Sequence, residues 1–83
     1  MKTSNLIIGK HYRTNDYYED IVEYVGWTYA IGKDEKHPKI KHLFRYINGT
    51  RNNYIAGFIE NDNDEINGIE ELYNTEEIKI DEE

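Results

Sequence analysis

Residues 20–31, Asp-Ile-Val-Glu-Tyr-Val-Gly-Trp-Thr-Tyr-Ala-Ile, constrain the fold more than any other stretch of the chain. β-branched and aromatic side chains dominate it, as a pleated, half-buried surface prefers. Strict alternation sets Ile21, Glu23, Val25, Trp27, Tyr29 and Ile31 on one face. Val22, Tyr24, Gly26, Thr28 and Ala30 fall on the other. The first face has one charged member and is expected to pack inward. The stretch is long for one strand, so Gly26 is expected to mark a bulge or sharp bend.

Four further segments complete the pattern. Residues 10–13 read as a short strand entered through Gly9, followed by the turn cluster Thr14-Asn15-Asp16. Residues 40–47 read as a strand with His42, Phe44 and Tyr46 on one face. Asn48-Gly49 is a hairpin signal, and residues 54–59 supply the partner strand. A polar loop at 60–65 leads to Ile66, Ile69, Leu72 and Tyr73. Their spacing predicts one or two helical turns within 64–73, with Asn63 or Asp64 as N-cap. Residues 76–80 read as a last short strand. No repeat or linker interrupts the chain, so one domain over 1–83 is expected, with 1–8 and 81–83 frayed.

A chain of 83 residues buries only about 60–65% of its unfolded surface and supports a single modest core. Eight Tyr, two Phe and Trp27 give that core its bulk and argue against disorder. The expected core is Ile21, Val25, Trp27, Ile31, Leu43, Phe44, Ile47, Ile55, Phe58, Ile69 and Leu72. A Trp27 exposed to solvent would belong to a binding face instead. The fold class is mainly β: a small bent antiparallel sheet or barrel of four or five strands with one short helical turn.

The Gly-Lys-x-Tyr-Arg opening at Gly9 to Arg13, the long bent second strand, the hairpin and the turn before a last strand resemble SH3-like barrels. Many such small proteins come from phages and mobile elements of low-GC bacteria. The abundant Ile, Asn, Tyr and Lys, all with A/T-rich codons, fit that origin. The resemblance covers residues 9–80 and implies a binding module, although fold alone does not fix function.

Charge is segregated along the chain. Residues 1–56 hold nine Lys/Arg against six Asp/Glu, net +3, and residues 57–83 hold one Lys against eleven Asp/Glu, net −10. Such asymmetry steers a basic partner toward the acidic end. The leading expectation is a non-enzymatic, protein-binding inhibitor. Its acidic surface of Glu60, Asp62, Asp64, Glu65, Glu70 and Glu71 would dock into a basic site of a nucleic-acid-processing protein. In the sharpest version it is a phage antagonist of a bacterial defence nuclease, with carboxylates standing in for nucleic-acid phosphates. The competing reading makes the acidic run a solvated face that aids solubility. An alternative binding face comprises Trp27, Tyr29, Lys39, Lys41 and Arg45, in the manner of an SH3-like interaction module or a single-strand-binding surface. The net charge of −7 opposes direct DNA binding.

Other chemistries find little support. The chain has no cysteine, which excludes disulfides, thiolate zinc sites and a thiol nucleophile. His11, His37 and His42 lack metal-ligand spacing. A calcium-loop register starting at Asn63 aligns Glu65, Asn67 and Gly68, but puts Asn74 where a bidentate Glu belongs. Ser4 is the only serine, and no glycine-rich phosphate loop exists. No catalytic residue, metal or cofactor is therefore expected. Apolar runs reach three residues at most, so neither a membrane span nor a signal segment is expected, and the expected location is cytoplasmic.

Overall fold

The computed structural model describes residues 1–31 and 37–72. Five strands form one antiparallel sheet: β1 (His11–Thr14), β2 (Ile21–Ala30), β3 (Lys39–Tyr46), β4 (Ile55–Ile59) and β5 (Ile69–Glu71). Their spatial order is β4-β3-β2-β1-β5. β1 to β4 are a simple meander, and the chain after β4 returns across the sheet so that β5 pairs with β1. No pairing joins β4 to β5 among the described residues. The one short helical turn is 3-10 in type and lies at Thr3–Asn5.

The expected strands at 10–13, 20–31, 40–47 and 54–59 correspond to β1 to β4. The helical turn expected within 64–73 is not present in the described part of that range; Ile69–Glu71 is a strand instead. Asp64 and Gly68 both adopt positive φ, 58° and 92°, which breaks a helix at each position. The spacing of Ile66 and Ile69 arises because both sides of this turn insert into the same core. The strand expected at 76–80 lies outside the described residues.

One face of the sheet carries the core. Tyr12, Val22, Tyr24, Phe44, Tyr46, Ile66 and Ile69 are buried, and Met1, Leu6, Ala56 and Phe58 pack against them. Phe44 sits at the centre, in edge or tilted ring contact with Tyr12, Tyr24 and Phe58. The cover is the return segment together with the N-terminus. Met1 and Ile66 exchange backbone bonds, and Thr3 N–H donates to Asp64 O at 2.9 Å. The Tyr12 hydroxyl accepts from Ile7 N–H at 2.9 Å and donates to Asn5 O.

The core differs from expectation on β2. Phe44 and Ile69 are buried as expected, and Ile21, Leu43, Ile47, Phe58 and Leu72 are half-buried. Val25, Trp27, Ile31 and Ile55 are exposed, while Val22 and Tyr24 lie inside. A bulge sets the facing of β2. Tyr24 pairs with Phe44 and Gly26 with Leu43, which leaves Val25 as an extra residue with no partner. A one-residue insertion inverts the facing of everything beyond it. Val22 and Tyr24 before the bulge, and Trp27 and Tyr29 after it, therefore share the core face.

Candidate partner-binding cleft

Beyond the bulge the core face continues past the end of its cover. Trp27 and Tyr29 stand there in edge-to-face contact, ring centroids 5.2 Å apart, and are 52% and 60% exposed. They face His42 and Ile40 across the ladder. A turn brings Ile8 alongside: Lys10 N–H donates to Ile7 O at 3.1 Å, Gly9 takes φ 88°, and Gly9 N–H donates to Tyr24 O at 2.9 Å. The result is an open cleft of about 710 Å³. Leu6, Ile8, Trp27 and Ile40 are its apolar lining; Lys2, Glu60 and Asp64 contribute polar atoms.

A chain of three side chains runs beneath it. The Tyr24 hydroxyl lies 2.9 Å from His42 Nδ1, and His42 Nε2 lies 2.8 Å from Glu60 Oε1. A carboxylate only accepts, so Nε2 carries the proton it donates to Glu60, and the Tyr24 hydroxyl, which can donate or accept, is the hydrogen-bond partner of Nδ1. The hydrogen bond from His42 holds the Glu60 carboxyl below its ordinary range, against burial, with Thr3 assisting. Burial, and then the Glu60 charge, push the Tyr24 hydroxyl above its ordinary range. The three groups satisfy one another, and no buried side-chain polar atom among the described residues lacks a partner.

The acidic residues separate into two groups. Glu60 to Glu65 form a tight loop at the lip of the cleft. Asn61 Oδ1 accepts from Asn63 N–H at 2.9 Å and Glu65 N–H at 3.2 Å, and Lys2 Nζ donates to Asn63 O at 3.1 Å. Side-chain-to-backbone bonds from Asn61 and Lys2 thus shape the loop while the Asp62 and Asp64 side chains stay exposed. Glu65 is half-buried and its backbone bridges Lys2. Glu70 and Glu71 lie on β5, at the opposite edge of the sheet from β4. Glu70 accepts from Arg13 Nε at 2.9 Å, and Glu71 lies 3.9 Å from Lys10 Nζ. The structure therefore places Glu60, Asp62, Asp64 and Glu65 together and sets Glu70 and Glu71 apart.

The alternative face divides as well. Lys39, Lys41 and Arg45 pair in register with Ala30, Thr28 and Glu23, on the side of the sheet away from Trp27 and Tyr29. Arg45 is ion-paired with Glu23. The aromatic and basic parts expected to act as one surface are on opposite faces, again because of the extra residue at Val25. Tyr24, His42, Ile8 and Ile40 were not singled out from sequence as cleft residues; the one available signal was Gly26.

Among the described residues no group of three or more His, Asp or Glu side chains is placed to hold a metal ion, and no helix is long and apolar enough to cross a membrane. Compared with protein-family models, curated proteins and solved structures, the chain matches none of them.

Proposed function

We propose that this chain is a protein-binding module. Its cleft receives an apolar anchor from a basic segment of a partner protein, and Asp62 and Asp64, with Glu60 and Glu65 behind them, meet the flanking Lys or Arg. The observation that carries this reading is the continuation of the core face into solvent as Trp27 and Tyr29, beside an acidic loop. An aromatic patch rimmed by charge is the usual anatomy of a docking site. A net charge of −7 adds long-range attraction for a basic surface. Where the partner processes nucleic acid, the docked carboxylates would occupy phosphate positions and the module would inhibit by competition. The SH3-like reading belongs to the same proposal: a five-stranded antiparallel sheet with a bulged second strand is the shape that curls toward a barrel.

The test is calorimetric titration with a synthetic peptide carrying a Leu or Phe anchor between Lys/Arg pairs. The native chain should bind it, and the D62K/D64K variant should bind it at least several-fold more weakly. Reversal at Lys39, Lys41 and Arg45 should matter much less. If the basic-strand variant alone loses affinity, the opposite face is the functional one.

A further inference from the structure

β4 is the edge of the sheet opposite β5, and only β3 pairs with it among the described residues. Its backbone parity is fixed at both ends. Tyr46 N–H donates to Tyr54 O at 2.8 Å and Glu60 N–H donates to Ile40 O at 2.9 Å, with no register shift between. In an antiparallel ladder each residue turns its N–H and C=O to the same side, and the side alternates along the strand. Residues 54, 56, 58 and 60 therefore face β3. Ile55, Gly57 and Ile59 turn their N–H and C=O to the open edge.

Edge strands are commonly guarded by a lysine, a proline, a bulge or extreme shortness. Ile55–Ile59, Ile-Ala-Gly-Phe-Ile, has no charge, no proline and no bulge. The other edge is guarded: β5 has three residues, two of them glutamate.

We propose that β4 pairs antiparallel with β4 of a second copy of this chain, about a two-fold axis at Gly57. The pattern Ile-x-Gly-x-Ile has the same apolar spacing from either end. That axis sets Gly57 opposite the partner's Gly57, and Ile55 opposite the partner's Ile59. Every outward N–H and C=O of the three residues then finds a partner. Ile55 and Ile59, 47% and 44% exposed, cover each other on the face that carries Arg45 and Lys41. Gly57 brings no side chain to the junction, and the Lys41 stem occupies the space its Cβ would take. Charge favours the antiparallel sense. A parallel pairing would set each copy's acidic end, leading into Glu60, Asp62 and Asp64, beside the other's; the antiparallel sense sets it beside the end that follows Arg51, whose charge is balanced by Asp20 of its own chain. The interface is isologous and closes as a dimer. It lies along the sheet edge and rests on nothing argued for the cleft.

Sedimentation equilibrium of the full chain up to about 1 mM tests this, since an interface of one short strand pair is small and weak. The expected result is a monomer–dimer equilibrium. In the two-fold register residue 55 always faces residue 59. I55E/I59E therefore sets like charges opposite each other across the axis, while each new carboxylate faces Arg45 or Lys41 of its own chain. That variant should stay folded and weaken the dimer by roughly tenfold or more. I55E/I59K sets opposite charges across the same contacts and should restore it. Amide exchange on the native chain gives an independent reading: protection at Ile55, Gly57 and Ile59 should rise with protein concentration. A native chain that stays monomeric at about 1 mM, a dimer indifferent to I55E/I59E, or concentration-independent exchange at these three amides would overturn the proposal.

Discussion

Trp27 stands directly opposite His42 across the β2–β3 ladder, on the face that carries Phe44, because Val25 has no partner on β3. The whole cleft depends on that extra residue. Gly26, next to it, has φ 131°, a conformation open almost only to glycine. A Cβ added there would meet nothing within 4 Å, so the cost of Gly26→Ala is conformational rather than steric. The expected loss is about 1–3 kcal/mol of stability, read by urea unfolding. A variant as stable as the native chain would mean that the bulge does not need this backbone geometry.

The buried imidazole gives a second expectation. Tyr24→Phe keeps the ring and its packing but removes the one partner that His42 Nδ1 has among the described residues. A buried polar group left unsatisfied costs about 1–3 kcal/mol. Denaturant unfolding should show a loss of that size, larger than volume alone would give. A neutral or stabilising substitution would mean that water replaces the hydroxyl and that the site is wetter than its 5% exposure at His42 indicates.

Acid stability should depend on Glu60. Its folded carboxyl is held below its ordinary value of 4.5, chiefly by the His42 hydrogen bond. A depressed carboxyl contributes stability that is complete above its unfolded pKa and is lost as pH falls through the folded one. Thermal melts from pH 7 to pH 3 should therefore fall below about pH 4.5. Glu60→Gln should make that acid limb shallower without abolishing it. Asp16 contributes in the same direction: its carboxyl is lowered first by the Thr14 hydroxyl and further by the backbone amides of Glu19 and Tyr18. An unchanged acid limb in Glu60→Gln would assign the effect elsewhere.

Four strands were legible in the sequence because β-branched and aromatic runs between polar turns need no tertiary information. The facing of β2 was not. Ile21, Val25, Trp27, Tyr29 and Ile31 alternate perfectly in the sequence, and only the pairing with β3 reveals that Val25 is skipped. Gly26 announced a bulge but not on which strand face its consequences would fall. The misread helix at 64–73 has a similar origin. Apolar residues three apart fit one helical face, yet two chain segments joined at Gly68 can insert into one core with the same spacing. The Tyr24–His42–Glu60 chain was beyond sequence reasoning, since its members are 18 residues apart at each step and meet only through the β2–β3–β4 register.

Charge reversal at the lip should separate binding from folding. Asp62 and Asp64 are exposed and form no ion pair among the described residues, so Asp62→Lys should alter stability by no more than about 0.5 kcal/mol, and Asp64→Lys by about 1 kcal/mol more, because φ 58° at Asp64 suits aspartate better than lysine. Glu70→Lys is the contrasting case, because it breaks the 2.9 Å contact with Arg13. It should destabilise the β1–β5 pairing while leaving peptide binding at the cleft largely intact. Equal effects of both changes on binding would argue for a diffuse field rather than a local site.

Trp27 is the only tryptophan and stands half-exposed in the cleft, so its fluorescence reports on the proposed site alone. The decisive measurement is its emission during titration with the Lys/Arg-flanked peptide, with an acidic peptide of the same apolar anchor, and with a single-stranded oligonucleotide. A saturable blue shift is expected with the basic peptide only, weakening as salt screens the charges. A silent Trp27 with the basic peptide, or an equal response to the acidic peptide or the oligonucleotide, would contradict the proposed function.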